Sequence, residues 1–371
     1  MRAIVIVLDG CGAGAAPDSA EFGATEPTST VRHVWEAVGG FHAPNLASVG
    51  FLAACGIGPA PEPLPGRPVS YGRLQPLSKG GKDSVVGHWE MMGIELDRPF
   101  PTFPNGFPAE LVSAFSAAIG RDVLGNRAAS GTQIISELGG QHLRSGAPIL
   151  YTSADSVLQI AAHEEVVPVE TLYAWCEAAR ALCVGDFEVQ RVIARPFTGE
   201  EGHFQRTERR RDYPLTPPTN LIDEIGDVYG IGVVPELFGG RGFRDVPRTQ
   251  SNAEHAEVLW RALESDARFI FANFEDFDMR YGHRNDAAGF ARCLEAFDHT
   301  LGELLARTSA DDLIVLTADH GNDPTTASTD HDREYVPCVA IGSAVPFSGD
   351  IAGFSHVGRL VSSAIVPTIT E

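Results

Sequence analysis

Three short runs along the chain are apolar at nearly every position and end in acidic or histidine residues. They are 4–8 before Asp9, 269–274 before the stretch 275–278, and 313–316 before Asp319 and His320. A strand whose two faces are both apolar is buried on both sides, as parallel strands are when helices cover both faces of the sheet. Between these runs, residues 253–264 and 287–306 place apolar side chains at three- and four-residue intervals, the period of a helix resting on a core. This alternation predicts an α/β core with a mostly parallel central sheet flanked by helices. Ligands in such sheets bind beyond the carboxyl ends of the strands, where these acidic residues fall.

The pattern changes after the turn-rich segment 99–106, which carries three prolines and a glycine, and a charged, proline-containing stretch at 206–218 reads as a hinge. The segment between is expected to be an inserted cap, with a helix over 170–182 and a strand over 191–195. The expected division is 1–96 and 212–371 for a metal-binding catalytic core and 97–211 for a smaller α/β cap that contacts substrate.

A chain of 371 residues can bury a sizeable core without covalent staples. Its six cysteines show no C-x-x-C pairing, so reduced thiols are expected rather than a zinc knuckle or a disulfide framework. The first apolar run is too short for a signal peptide and no later run is long enough to span a bilayer, which leads to an expected cytoplasmic setting. A formal charge of −21 argues against nucleic acid or an anionic membrane as partner. A small anionic substrate therefore needs local positive charge, from metal ions or arginines.

Such a site is written near the end of the chain. Asp276-Phe277-Asp278-Met279-Arg280-Tyr281-Gly282-His283 and Thr317-Ala318-Asp319-His320-Gly321-Asn322-Asp323, followed by Thr329-Asp330-His331, alternate carboxylates with imidazoles. Mixed oxygen and nitrogen ligation suits Mn or Zn, whereas Mg or Ca favours oxygen alone. With Asp9, the set divides into Asp278, His283 and His331 around one ion, and Asp9, Asp319 and His320 around another. Two such ions clamp the attacking and leaving oxygens of an in-line displacement. A single Asp-His-Gly is a common turn and a single histidine usually a packed one; six ligand-type residues, three of them just past strands, are a site.

The second concentrated stretch is Gly80-Gly81-Lys82-Asp83-Ser84-Val85-Val86-Gly87-His88-Trp89-Glu90. It does not have Walker A spacing. Alone it reads as a glycine-flanked turn with Ser84 capping a helix; beside a metal site, Ser84 reads as a nucleophile whose alkoxide the metal favours. The Lys82 ammonium or a backbone amide at the helix start would then stabilise a phosphate on Ser84.

Taken together these segments resemble the phosphopentomutases, a branch of the alkaline phosphatase superfamily that includes cofactor-independent phosphoglycerate mutase. The resemblance runs from Val5-Ile6-Val7-Leu8-Asp9 through Gly81-Lys82-Asp83-Ser84, Gly87-His88-Trp89-Glu90 and Phe103-Pro104-Asn105-Gly106-Phe107-Pro108. It continues through Ala129-Ser130-Gly131-Thr132, Tyr151-Thr152-Ser153-Ala154-Asp155-Ser156 and Arg191-Val192-Ile193-Ala194-Arg195-Pro196-Phe197 to Asp330-His331. It implies an alkaline-phosphatase-like core with an inserted cap, and two Mn ions held by Asp9, Asp278, His283, Asp319, His320 and His331. It further implies a phosphoryl group carried on Ser84, and Asp155, Arg191 and Arg195 facing the sugar phosphate. The implied reaction interconverts ribose or deoxyribose 1-phosphate and 5-phosphate, primed by a sugar bisphosphate such as glucose 1,6-bisphosphate.

Several positions depart from the family pattern. Ser84 stands where threonine is usual, Gly232-Val233-Val234 where Gly-Lys-Ile is usual, Gln250 where lysine is usual, and Tyr335 where histidine is usual; residues 357–371 also differ. The usual lysine at 233 is expected to bind substrate phosphate, and Arg241 and Arg244 are the nearby cations that would compensate. A mutase for a related phosphosugar, a metal-dependent phosphatase or phosphodiesterase on the same core, and a non-catalytic sugar-phosphate binder are the competing readings.

Overall fold

The computed structural model describes residues 1–62, 64, 66–153, 155–342 and 346–365. Part of the divergent end, 366–371, and Ala154 of the Tyr151 to Ser156 motif lie outside the described residues. The chain divides into two compact units, Met1–Arg98 with Pro217–Glu371, and Pro99–Thr216.

The strands follow in chain order. β1 (Ala3–Leu8) and β2 (Val69–Gln75) belong to the first unit. β3 (Leu124–Ala128), β4 (Ile149–Thr152), β5 (Val157–His163), β6 (Arg191–Thr198), β7 (Gln205–Arg206) and β8 (Arg211–Pro214) make up the sheet of the second. β9 (Tyr229–Ile231), β10 (Phe269–Phe274), β11 (Leu313–Thr317), β12 (Val336–Ile341) and β13 (Ser348–Ala352) return to the first.

In the first unit the described strands form a seven-stranded sheet in the order β13-β2-β12-β11-β1-β10-β9. The central strands β11, β1, β10 and β9 run parallel, while β12 is antiparallel to both of its neighbours. The sheet is therefore mixed, with its parallel part where the apolar runs are. Every residue of β1, β10 and β11 is buried, as expected for strands covered on both faces. Register decides what this builds. Leu8 is level with Phe274 on one side, and Val7 with Thr317 on the other. Asp9, one residue past β1, is thus level with Asp319, two residues past β11, at a strand spacing of about 4.8 Å.

The helices Asn252–Glu264 and Ala287–Arg307 lie where the periodicity places them, each capped by a side chain: Ser251 Oγ accepts from Glu254 N–H, and a carboxylate oxygen of Asp286 accepts from Gly289 N–H. No helix among the described residues is long and apolar enough to cross a membrane, and all six cysteines are free and buried.

The second unit is a sheet in the order β3-β4-β5-β6-β7, with β8 also paired to β6. Alternate residues of β4 face two cores. Leu150 packs with the helices Ala109–Ile119 and Val169–Leu182, while Ile149 and Tyr151 pack with Ile134 and Ile135 of Gly131–Ser145. The stretch 206–218 is not a hinge throughout. Residues 211–214 form β8, with Arg211 paired to Ala194 and Pro214 to Arg191, so the division falls after Thr216 rather than at 211.

Candidate metal centre

Three neighbouring strand ends deliver the carboxylates: Asp9 after β1, Asp278 in the turn Phe277–Tyr281 after β10, and Asp319 after β11. Two groups of three result, Asp9 with Asp319 and His320, and Asp278 with His283 and His331. Within each group one ligand atom per residue lies within 4.8 Å of the others. His320 Nε2 is 3.3 Å from Asp9 Oδ1 and 3.5 Å from Asp319 Oδ2. His283 Nε2 is 3.0 Å from Asp278 Oδ2, and His331 Nε2 is 3.6 Å from Asp278 Oδ1. The groups adjoin, with the His320 and His331 ring centroids 4.2 Å apart.

The surroundings hold these side chains in ligating form. His283 Nδ1–H donates to the Thr329 carbonyl at 2.7 Å and His320 Nδ1–H to the Gly321 carbonyl at 3.0 Å, so that in the neutral, ligating form each ring presents the Nε2 lone pair on the side of the carboxylates. Asn273 Nδ2–H donates to Asp9 Oδ2 at 2.6 Å, Asn322 Nδ2–H to Asp278 Oδ1 at 2.6 Å, and Gly10 N–H to Asp319 Oδ1 at 3.1 Å. Asn273 is the one polar residue in an otherwise apolar β10, a sequence signal that periodicity alone passes over.

The chain's own groups do not satisfy this cluster. Asp9 Oδ1 and Asp319 Oδ2 are buried and make no hydrogen bond among the described residues, and leaving such an atom unpaired is costly. Burial, then the charges of Asp319 and Asp278, push Asp9 up to about 7. Burial, the largest single influence, pushes Asp319 the same way, but His320, His88 and the Gly10 N–H together outweigh it and hold that carboxyl well below its ordinary value. His320 in turn is held well above its ordinary value, because Asp319, Asp9 and Asp278 overcome the opposing effect of burial. Packed carboxylates, orphaned oxygens and imidazoles turned lone-pair inward fit divalent cations, and the donor set supports divalent metal use.

Ser84 opens the helix Ser84–Met91, but it is not the cap. Asp83 Oδ1 accepts from Val85 N–H at 2.9 Å and from Val86 N–H at 3.2 Å. Ser84 is thus the first helical residue, and its hydroxyl lies 3.1 Å from His320 Nε2. Gly87 makes this approach possible, since a Cβ there would stand 2.3 Å from the Asp319 carbonyl oxygen. Lys82 Nζ pairs with Asp330 at 2.9 Å, next to His331. Behind the loop, Arg333 is buried and donates to the carbonyls of Pro76, Ser78 and Gly81 and to Asp18, so it holds the segment before Ser84 in place.

In the second unit, Arg191 and Arg195 share one face of β6. Arg195 Nε–H donates to Gln159 Oε1 at 3.1 Å, and Arg191 Nη1 is 3.6 Å from Asp212 Oδ2. Asp155 sits in the exposed turn into β5, two residues before Val157, which pairs with Arg191. Burial, then the charges of Arg210 and Arg206, lower the pKa of Arg195, which marks a concentration of positive charge around it.

The model of the Metalloenzyme superfamily matches residues 1–359. The phosphopentomutase of Dictyoglomus turgidum is 49% identical over 349 residues, covering 91% of this chain and 86% of that relative. The phosphopentomutase of Herpetosiphon aurantiacus is 49% identical over an alignment of 384 residues, covering 100% of this chain and 94% of that relative. That of Clostridium acetobutylicum is 41% identical over 370 residues, covering 97% and 94%. With its mixed α/β sheet and its paired carboxylate and histidine clusters, the chain belongs to the phosphopentomutase family, a group of phosphomutases within the metalloenzyme superfamily.

Proposed function

We propose that the chain interconverts ribose or deoxyribose 1-phosphate and 5-phosphate through a phosphoryl group carried on Ser84. The observation that carries this reading is the Ser84 hydroxyl 3.1 Å from His320 Nε2, at the start of a helix and at the edge of the Asp9, Asp319 and His320 group. Two divalent ions, Mn in our reading, would supply Lewis acidity for phosphoryl transfer and would favour the Ser84 alkoxide. Asp9, Asp319 and His320 would hold one, and Asp278, His283 and His331 the other.

The chain's part in the cycle follows from its residues. Phospho-Ser84 donates its group to one end of the pentose phosphate, breaking the Oγ–P bond as the bond to the sugar oxygen forms. The bisphosphate reorients, and Ser84 Oγ recovers a phosphoryl group from the other end. Residues 99–216 act as the cap, with Asp155, Arg191 and Arg195 holding the sugar phosphate and excluding water, because water attack on phospho-Ser84 would make a phosphatase. A sugar bisphosphate such as glucose 1,6-bisphosphate primes Ser84, and the setting is cytoplasmic.

One observation favours a related phosphosugar as a second reading. Val233 supplies no cation, and neither nearby arginine is available to replace it. Arg241 is bound bidentately to Asp223 and to the carbonyls of Pro217 and Pro218, and Arg244 to Asp227 and Asp266. A coupled assay of ribose 5-phosphate formation from ribose 1-phosphate, with Mn and a bisphosphate primer and with free phosphate followed in parallel, tests both. Isomerisation with little phosphate release supports the pentose mutase. Phosphate release without isomerisation makes it a phosphatase, and turnover only with other sugar phosphates selects the second reading.

A further inference from the structure

His88 lies one helical turn after Ser84, fully buried, with its ring centroid 5.6 Å from that of Phe271 in β10. Its Nδ1 is 2.8 Å from the Ser84 carbonyl oxygen. A carbonyl only accepts, so Nδ1 carries the proton and Nε2 the lone pair. The same nitrogen lies 3.4 Å from Asp319 Oδ2, and among the described residues neither that oxygen nor His88 Nε2 has a hydrogen-bond partner. An aromatic hydrocarbon would fill this space and would leave no buried nitrogen unpaired. It would not place a positive N–H end between the backbone of the nucleophile and the free oxygen of a ligand carboxylate. The contact is tight: helix and ligand loop touch at Gly87, where a Cβ would stand 2.8 Å from Asp319 Cβ.

We propose that His88 is a positioning residue, whose single Nδ1–H fixes the Asp319 carboxylate and the Ser84 end of the helix relative to each other. The proposal rests on the two-metal, Ser84 reading above. Asp319 is anchored through Oδ1 by Gly10 N–H, and His88 sets the side on which Oδ2 is presented. Polar partners behind metal ligands typically change metal affinity 10–100-fold, and His88 belongs with Asn273 and Asn322 in that role. It differs from them in being attached to the nucleophile's own helix, so that displacing it moves two parts of the site together.

The test replaces His88 by Phe, Asn and Gln in the full chain and measures uptake of cobalt(II) into chelated protein, by chelator competition and by the visible spectrum, alongside kcat and KM. Asn places its amide N–H where Nδ1–H is, and Gln places it near Nε2. His88→Phe is expected to hold one of the two ions about 10–100-fold more weakly, with an altered cobalt spectrum and a fall in kcat rather than a rise in KM. His88→Asn should come back to within a few-fold of the parent, and His88→Gln should not. Should the Phe variant fail to fold, the comparison of Asn with Gln decides alone. Parental cobalt affinity and spectrum in His88→Phe, or equal rescue by Gln and Asn, overturns the positioning role while leaving the two-metal reading intact. A parent protein that takes up no cobalt overturns both.

Discussion

The two candidate metal-holding groups both mix carboxylates with imidazoles, two to one in the first and one to two in the second, but they differ in setting. Asp9, Asp319 and His320 are 3%, 2% and 2% exposed and stand directly on the ends of two paired strands. In the other group Asp278 is buried, but His283 and His331 are only half-buried, on a short helical turn and on the loop before β12. The first group is fixed by sheet register and closed from solvent by the Ser84 helix. The second is fixed by side chains reaching across loops. A site built on register is rigid before any ion arrives, whereas one built on loops depends on its supporting bonds. Ser84, the proposed phosphoryl carrier, lies against the register-built group.

Asp319→Ala should have the largest effect, abolishing turnover and removing one ion of two from the purified protein, as metal analysis would show. Two ions and parental activity in that variant would erase the distinction. His331→Ala should weaken binding of its own ion while the Asp9 group stays loaded, so stepwise chelation should release the His331-side ion first and the buried one last, with the larger fall in melting temperature at the second step. Asn273→Ala and Asn322→Ala should each cost about 10–100-fold in affinity, each at its own ion only, by the same competition assay; equal losses at both ions would show that the groups act as one. Gly87→Ala should destabilise the fold by about 1–3 kcal/mol in denaturant melts, since the new methyl meets the Asp319 backbone. The smallest effect is expected of Val233→Lys, a gain of about tenfold in kcat/KM for ribose 5-phosphate, the low end of the scale of one added charged hydrogen bond.

Much of the core is legible because its chemistry is local. β1, β10 and β11 announce themselves as apolar runs, since a strand covered on both faces has no polar side to alternate with. The candidate ligand residues follow at their ends, in a density of Asp and His that no packing requirement explains. What is not legible depends on which segments meet. Asn273, Asn322 and His88 are ordinary polar residues until the fold sets them against Asp9, Asp278 and Asp319. Asp83 rather than Ser84 caps the helix, and both are good capping residues in sequence. The stretch 206–218 reads as a hinge because an edge strand carries charge and proline, the composition that also marks loops. That Arg241 and Arg244 are committed elsewhere follows from carboxylates at 223, 227 and 266, which only the fold brings to them.

The central claim is that Ser84 carries the phosphoryl group. Incubating the Mn-loaded protein with glucose 1,6-bisphosphate and mapping the modified peptide by mass spectrometry addresses it directly. The account predicts one phosphoryl group, on Ser84, that is lost on adding sugar monophosphate and absent from Ser84→Ala. Isomerisation that proceeds with Ser84 unmodified, or with the group on another residue, would contradict it.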